Sequence, residues 1–179
     1  MARYVYLIDH DIEYKLRWRK SLTKPGEEDT SVFIVKADTS IDTIVQEITN
    51  RSSENGMRIL RICAHGRPGR VALGKDSLWD STVERFKQIK GRFTSRGRIE
   101  LHSCSVAKEG NYCLTGVCIS GEGWLTKLAN FTGVPVNAAE YKQYVDENWA
   151  WEGTVRTFYP QNYQVDAPEY GRLSREDRN

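Results

Sequence analysis

The stretch that decides the fold is MRILRICAHGRPG, residues 57–69. Met57 to Ala64 is an apolar run of strand length. It stops on His65-Gly66, and Pro68-Gly69 follow at once as turn residues. Two descriptions fit a strand that ends this way. The histidine is a polar strand-end residue satisfied by backbone, or it is a reactive group at the mouth of a sheet. What else reaches the same rim decides between them.

Outward from this strand the chain alternates. Residues 4–9 (YVYLID) and 31–36 (SVFIVK) read as strands, separated by a polar stretch that includes Pro25-Gly26-Glu27-Glu28-Asp29. Asp38-Thr39-Ser40 resembles a helix cap. Ile41, Ile44, Val45 and Ile48 follow at helical spacing, with Asn55-Gly56 as the stop. Val71 to Gly74 reads as a small hairpin or loop. Val83, Phe86 and Ile89 predict a further helix, stopped by Gly91. Residues 98–103 (RIELHS) form a fourth strand, 123–131 a helix and 134–138 a fifth strand. Residues 149–158 return as an edge strand or hairpin, with Trp149 and Trp151 covering the core. This order predicts an α/β fold in three layers, a mostly parallel sheet with helices on both faces. Residues 1–160 read as a single domain and 161–179 as a polar tail.

Composition narrows the function classes. The chain has 179 residues, enough for one domain with a sizeable core, and its 39% hydrophobic and 28% charged content is that of a soluble globular protein. A net charge of +2 implies no strong field toward nucleic acid or membrane. RWRK, residues 17–20, reads as a solvated charged face. No apolar stretch is long enough to span a bilayer. The first residues enter a strand pattern without a signal peptide's layout, so cytoplasmic residence is the default expectation, export by another route being equally compatible. The four cysteines, Cys63, Cys104, Cys113 and Cys118, form no C-x-x-C pair.

In open parallel sheets, ligands bind at the carboxyl ends of the strands. His65 closes the third strand and Cys104 follows the fourth, so a helical crossover brings the pair together from about 40 residues apart. A thiolate beside an imidazolium is a nucleophile with its own proton donor. Backbone N–H groups at Gly66 and Cys104 are candidate donors for a tetrahedral oxyanion. Asp9 and Asp38 end strands on the same rim, where they would orient His65 or contact substrate. Cys63 reads as core. A zinc site made of His65, Cys104, Cys113 and Cys118 matches no usual ligand spacing.

The ordered set AHGRPGRVALG (64–74), LHSCSVA (101–107), LANFTGVPVNAA (128–139) and DENWAWEG (146–153) resembles the caspase-like (clan CD) cysteine peptidases. It is closest to a bacterial caspase-like domain family found in large surface proteins. The likeness covers most of the chain. It implies a Rossmann-like parallel sheet, His65 as catalytic histidine, Cys104 as nucleophile, and no metal or other cofactor. A protein or peptide substrate follows, with a regulatory protein partner compatible with the family. In several basic-specific relatives an acidic residue stands two positions before the nucleophile and lines the pocket for the residue before the cut. Here that position is His102, which shares a strand face with Cys104 and is expected to line that pocket as a substrate-binding residue, so a preference for Arg or Lys does not follow. Residues 108–123 form a longer link than is usual in these relatives, which would bring Cys113 and Cys118 near the cleft. The rival expectation is a non-catalytic interaction domain that keeps the fold.

Overall fold

The computed structural model describes residues 1–12, 23–24, 26–108, 111–114, 117–143, 151, 153–161 and 163, with backbone alone for 111–114 and 117–120. Residues 17–20 and Trp149 lie outside the described residues, as does nearly all of the 161–179 tail.

Six strands form the central sheet: β1 (Tyr4–Asp9), β2 (Thr30–Val35), β3 (Met57–Cys63), β7 (Phe93–His102), β10 (Val136–Ala139) and β11 (Val155–Phe158). Their order is β11-β10-β7-β3-β1-β2, and every pair is parallel except the β10–β11 edge. The chain is α/β, as its alternation predicts, with a mixed, mostly parallel sheet. β1 lies between β2 and β3, so the direction of winding reverses there. A crevice at the strand carboxyl ends is expected beside such a switch point.

Helix α1 (Ile41–Arg51) forms where the spacing of its isoleucines predicts it. Ser40 caps it, accepting from the Thr43 amide, and Asp76 Oδ2 accepts from the Ile41 amide at 3.0 Å. The helix ends at Arg51, earlier than the Asn55-Gly56 stop suggests, because Ser52 takes an extended backbone while its N–H and hydroxyl both bond the Ile48 carbonyl. Ile41, Ile44, Val45 and Ile48 are buried, each side chain contributing roughly 1.5–3 kcal/mol of transfer free energy. Val83–Ile89 is a 3₁₀ helix, consistent with apolar residues at every third position. Helix α2 (Gly121–Thr132) follows a two-stranded hairpin, β8 (Asn111–Leu114) and β9 (Val117–Ser120). The described helices share one core with Leu7, Leu60, Ile62, Ile99 and Leu101 of the sheet. Right-handed crossovers put all three on one face, because the chain moves in one direction across the sheet from β2 to β10. The β1–β2 connection runs the other way. It opens with helical residues 10–12 and continues through residues 13–22, outside the described ones.

The other face of the sheet is built around buried charge. Tyr6, Arg61 and Glu100 stand side by side in one register row across β1, β3 and β7. Arg61 Nη2 is 2.7 Å and Nε 2.8 Å from Glu100 Oε2, while Nη1 is 2.9 Å from Glu27 Oε2 and also bonds the Tyr6 hydroxyl. Arg98 Nε reaches the other Glu100 oxygen at 2.7 Å. Burial opposes ionisation of Glu100. The His102 hydrogen bond and the Arg61 and Arg98 guanidinium groups more than offset it and hold the carboxyl well below its usual range.

Glu27 behaves in the opposite way. Burial, with the Glu100 charge beside it, pushes its carboxyl up from 4.5 to about 7. The folded state therefore holds a proton that the unfolded state has lost, and it loses stability as the pH rises from about 4.5 to 7. His102 contributes the reverse slope, so a difference isolates the effect. The melting temperature of wild type minus that of Glu27→Gln is expected to fall as pH is raised from about 5 to 8. A difference that stays flat or rises removes this account of Glu27.

Candidate active site

The β3 and β7 strands leave the sheet side by side. Cys63 on β3 is the register partner of His102 on β7. His65 lies two residues beyond the first and Cys104 two beyond the second. Neighbouring strands run about 4.8 Å apart, so both residues start from adjacent backbones on the same rim.

After Ala64, the chain enters a small antiparallel sheet: β4 (His65–Arg67), β5 (Arg70–Ala72) and β6 (Leu78–Trp79). Pro68-Gly69 is the turn between β4 and β5, and Gly69 has φ +75°. That is why the apolar strand is followed by Arg-Pro-Gly: the run turns into a hairpin with a positive φ at its glycine. The hairpin begins at His65, ahead of the Val71–Gly74 segment that composition singles out. His65 is exposed on it.

Gly66 ties the hairpin to the cysteine. A Cβ there would lie 2.7 Å from the Cys104 carbonyl oxygen, 2.7 Å from Val106 Cγ2 and 2.8 Å from Ser103 Cβ. The space its side chain would take is filled by the cysteine turn itself, which is the packing reason for a glycine. Gly66→Ala is expected to cost about 1–3 kcal/mol and to displace the turn, because backbone sits at that contact. Thermal unfolding of the variant checks it; an unchanged melting temperature contradicts the contact.

Residues 104–107 form a tight turn that reverses the chain after β7. Ser105 has φ +55°, a left-handed conformation that non-glycine residues adopt at a cost of about 1 kcal/mol. Two bonds to the end of β10 and the residues just past it hold it: Ala107 N–H to the Ala139 carbonyl at 2.9 Å and Ser105 N–H to the Tyr141 carbonyl at 2.8 Å. Cys104 Sγ accepts the Gln143 amide at 3.3 Å and donates to the Gln143 carbonyl at 3.5 Å. The thiol is half-buried, so it is held by backbone yet open to solvent on one side. Tyr141 is 59% exposed next to this turn. Tyr141 and Gln143 belong to no sequence motif that marks them. Their position just past the end of β10, on the same rim, was the available signal.

His102 is 4% exposed. Its ring stacks on Trp151 with centroids 4.0 Å apart and planes 16° from parallel, and Nε2 is 3.4 Å from Glu100 Oε2. Burial pulls the imidazole below its ordinary value, an effect Glu100 offsets only in part. His102 thus sits beneath Trp151 and extends the buried Arg61–Glu100 network toward the cysteine turn. Cys63 is buried, packed with Tyr6 and Ile8.

Asp9 and Asp38 are not brought together. Asp9 is buried at the end of β1, accepting from the Asp11 amide at 3.1 Å and the Gly74 amide at 3.4 Å, so it fixes the loop after β5. Asp38 lies exposed in the turn beyond β2, on the far side of β1 from β3. Asp9, His10 and Asp11 bring three ligand atoms within 4.8 Å of one another, the one such group among the described residues. Cys113 and Cys118 are register partners across the β8–β9 hairpin; their side chains lie outside the described residues, and with them the zinc reading.

A parallel sheet with a histidine and a cysteine leaving adjacent strand ends defines an α/β protein with a candidate nucleophilic site on its carboxyl rim. The chain belongs to the family described as a domain of unknown function, DUF4347, whose model matches residues 5–157. That match spans both strand ends and every strand of the central sheet except the first residue of β1 and the last of β11. Comparison with the curated proteins finds no match. Among the described residues no helix is long and apolar enough to cross a membrane.

Proposed function

We propose that this chain is a caspase-like cysteine endopeptidase in which Cys104 and His65 form the catalytic dyad. One observation carries the reading: His65 and Cys104 each lie two residues beyond the Cys63–His102 register pair, and Gly66 packs directly on the cysteine turn. The strand order, which places β2 and β1 before β3, β7 and β10 with an antiparallel sixth strand at the edge, supports the same reading.

In this mechanism the Cys104 thiolate attacks the carbonyl carbon of the scissile peptide. The Gly66 and Cys104 backbone N–H groups receive the oxyanion. The tetrahedral intermediate collapses, the C–N bond breaks, and protonated His65 gives its proton to the leaving amine. Neutral His65 then takes a proton from water, whose oxygen attacks the thioester carbonyl and releases the acid and the thiol. No metal enters any of these steps. Trp151, stacked over His102, presents an aromatic surface where basic-specific relatives present a carboxylate. A substrate with a basic residue before the cut gains no counter-charge from this position.

A peptide library tests the activity. Cleavage by wild type, absent with Cys104→Ala, supports the peptidase. A folded wild type that cuts nothing, including itself, favours an interaction domain on the same fold.

A further inference from the structure

The amino-terminal rim of the sheet carries a second surface that the peptidase reading leaves unused. β3 and β7 pair in step from Ile59–Arg98 to Cys63–His102, but Met57 pairs with Phe93. Two steps along β3 therefore match five along β7, and β7 holds three surplus residues. The surplus bulges out and folds back at Gly97, where a Cβ would stand 2.6 Å from Phe93 Cβ and 3.0 Å from the Thr94 carbonyl. Beside the bulge stand Arg3, just before β1, and Arg58, an exposed residue of β3; the Arg58 amide donates to the Arg3 carbonyl at 2.7 Å. Arg3, Arg58, Thr94, Ser95 and Arg96 together line a cavity of about 230 Å³.

The chemistry of this lining is one-sided. Three guanidinium groups bring donors and no acceptor, and two hydroxyls add donors. Among the described residues no carboxylate lies within ion-pair distance of Arg3 or Arg58. Asp29, whose carbonyl accepts from the Arg3 amide, contributes backbone to the rim. We propose that this cavity is a binding site for the phosphate group of a small molecule. A guanidinium fork matches two oxygens of a tetrahedral oxyanion, and a phosphate has enough oxygens to serve several such forks at once. The volume is below the range of drug-sized pockets, so it suits a phosphate and its nearest atoms. A net charge of +2 gives no field for a nucleic-acid backbone. The bulge is what makes the site: without its surplus residues Thr94, Ser95 and Arg96 would be part of the regular strand.

Titration with inorganic phosphate and with glycerol phosphate, followed by ³¹P NMR at constant ionic strength, tests this. Vesicles containing phosphatidic acid and a short duplex DNA serve as separate arms. Wild type is expected to bind free phosphate saturably, with glycerol phosphate at least as tight. Arg3→Gln and Arg58→Gln, both at exposed positions, should each weaken binding about tenfold or more while far-UV circular dichroism stays unchanged. Equal binding by wild type and both variants overturns the site. So does a response confined to the vesicles or the DNA.

Discussion

Cys104→Ala is expected to lower peptide cleavage by a factor on the order of 10³ or more, with the melting temperature nearly unchanged. The thiol is half-buried and its two hydrogen bonds go to the backbone of Gln143, while the turn itself is held without it by the Ser105 bond to Tyr141 and the Ala107 bond to Ala139. His65→Ala is expected to lose a comparable factor, since nucleophile and base act as a unit and their losses do not add. The double variant should therefore be scarcely worse than either single one. His65 is exposed, so its loss leaves no cavity. A His65→Ala enzyme that keeps a tenth of wild-type turnover, or a double variant in which the two losses multiply, contradicts a dyad.

The second large effect is on stability. Arg61→Met is expected to cost about 3–5 kcal/mol, because it leaves the buried Glu100 carboxylate without its main counter-charge. For a chain of this size that corresponds to a melting temperature lower by roughly 10 °C. Arg61 is 2% exposed and the Tyr6 hydroxyl also bonds it, so the loss spreads along one row of the sheet. Adding Glu100→Leu should recover part of the loss, since an apolar replacement of both partners removes the unpaired charge. Thermal unfolding of both variants reads this directly; a single-variant cost below about 1 kcal/mol would show that the pair is dispensable.

These two predictions divide along what the residue pattern made legible. The isoleucine spacing of α1 and the ends of β3 and β7 could be read from local pattern, because each depends on residues close in sequence. His65 and Cys104 were legible for the same reason: both close an apolar run. The Arg61–Glu100 row was not. Within RILRIC a charge looks like an interruption, and only the register that sets it beside Glu100 explains its burial. The hairpin opened by His65 was missed because its strands are three residues long and carry no periodicity. The bulge at Thr94–Arg96 sets the start of β7 at Phe93 apart from the 98–103 run that reads as strand. His102 was legible as a residue sharing a face with the site, but the Trp151 ring that covers it comes from far along the chain. Asp38 follows a strand end as Asp9 does, but strand order is not written in local pattern, and β1 separates the strand of Asp38 from β3.

The dyad itself is tested most directly by the rate at which each cysteine reacts with iodoacetamide, resolved by mass spectrometry of the labelled peptides. Cys104 is expected to react well ahead of the buried Cys63, and its rate should fall at least tenfold in His65→Ala as the imidazole partner is lost. Equal rates at Cys104 in wild type and His65→Ala would contradict the pairing on which the proposed chemistry rests.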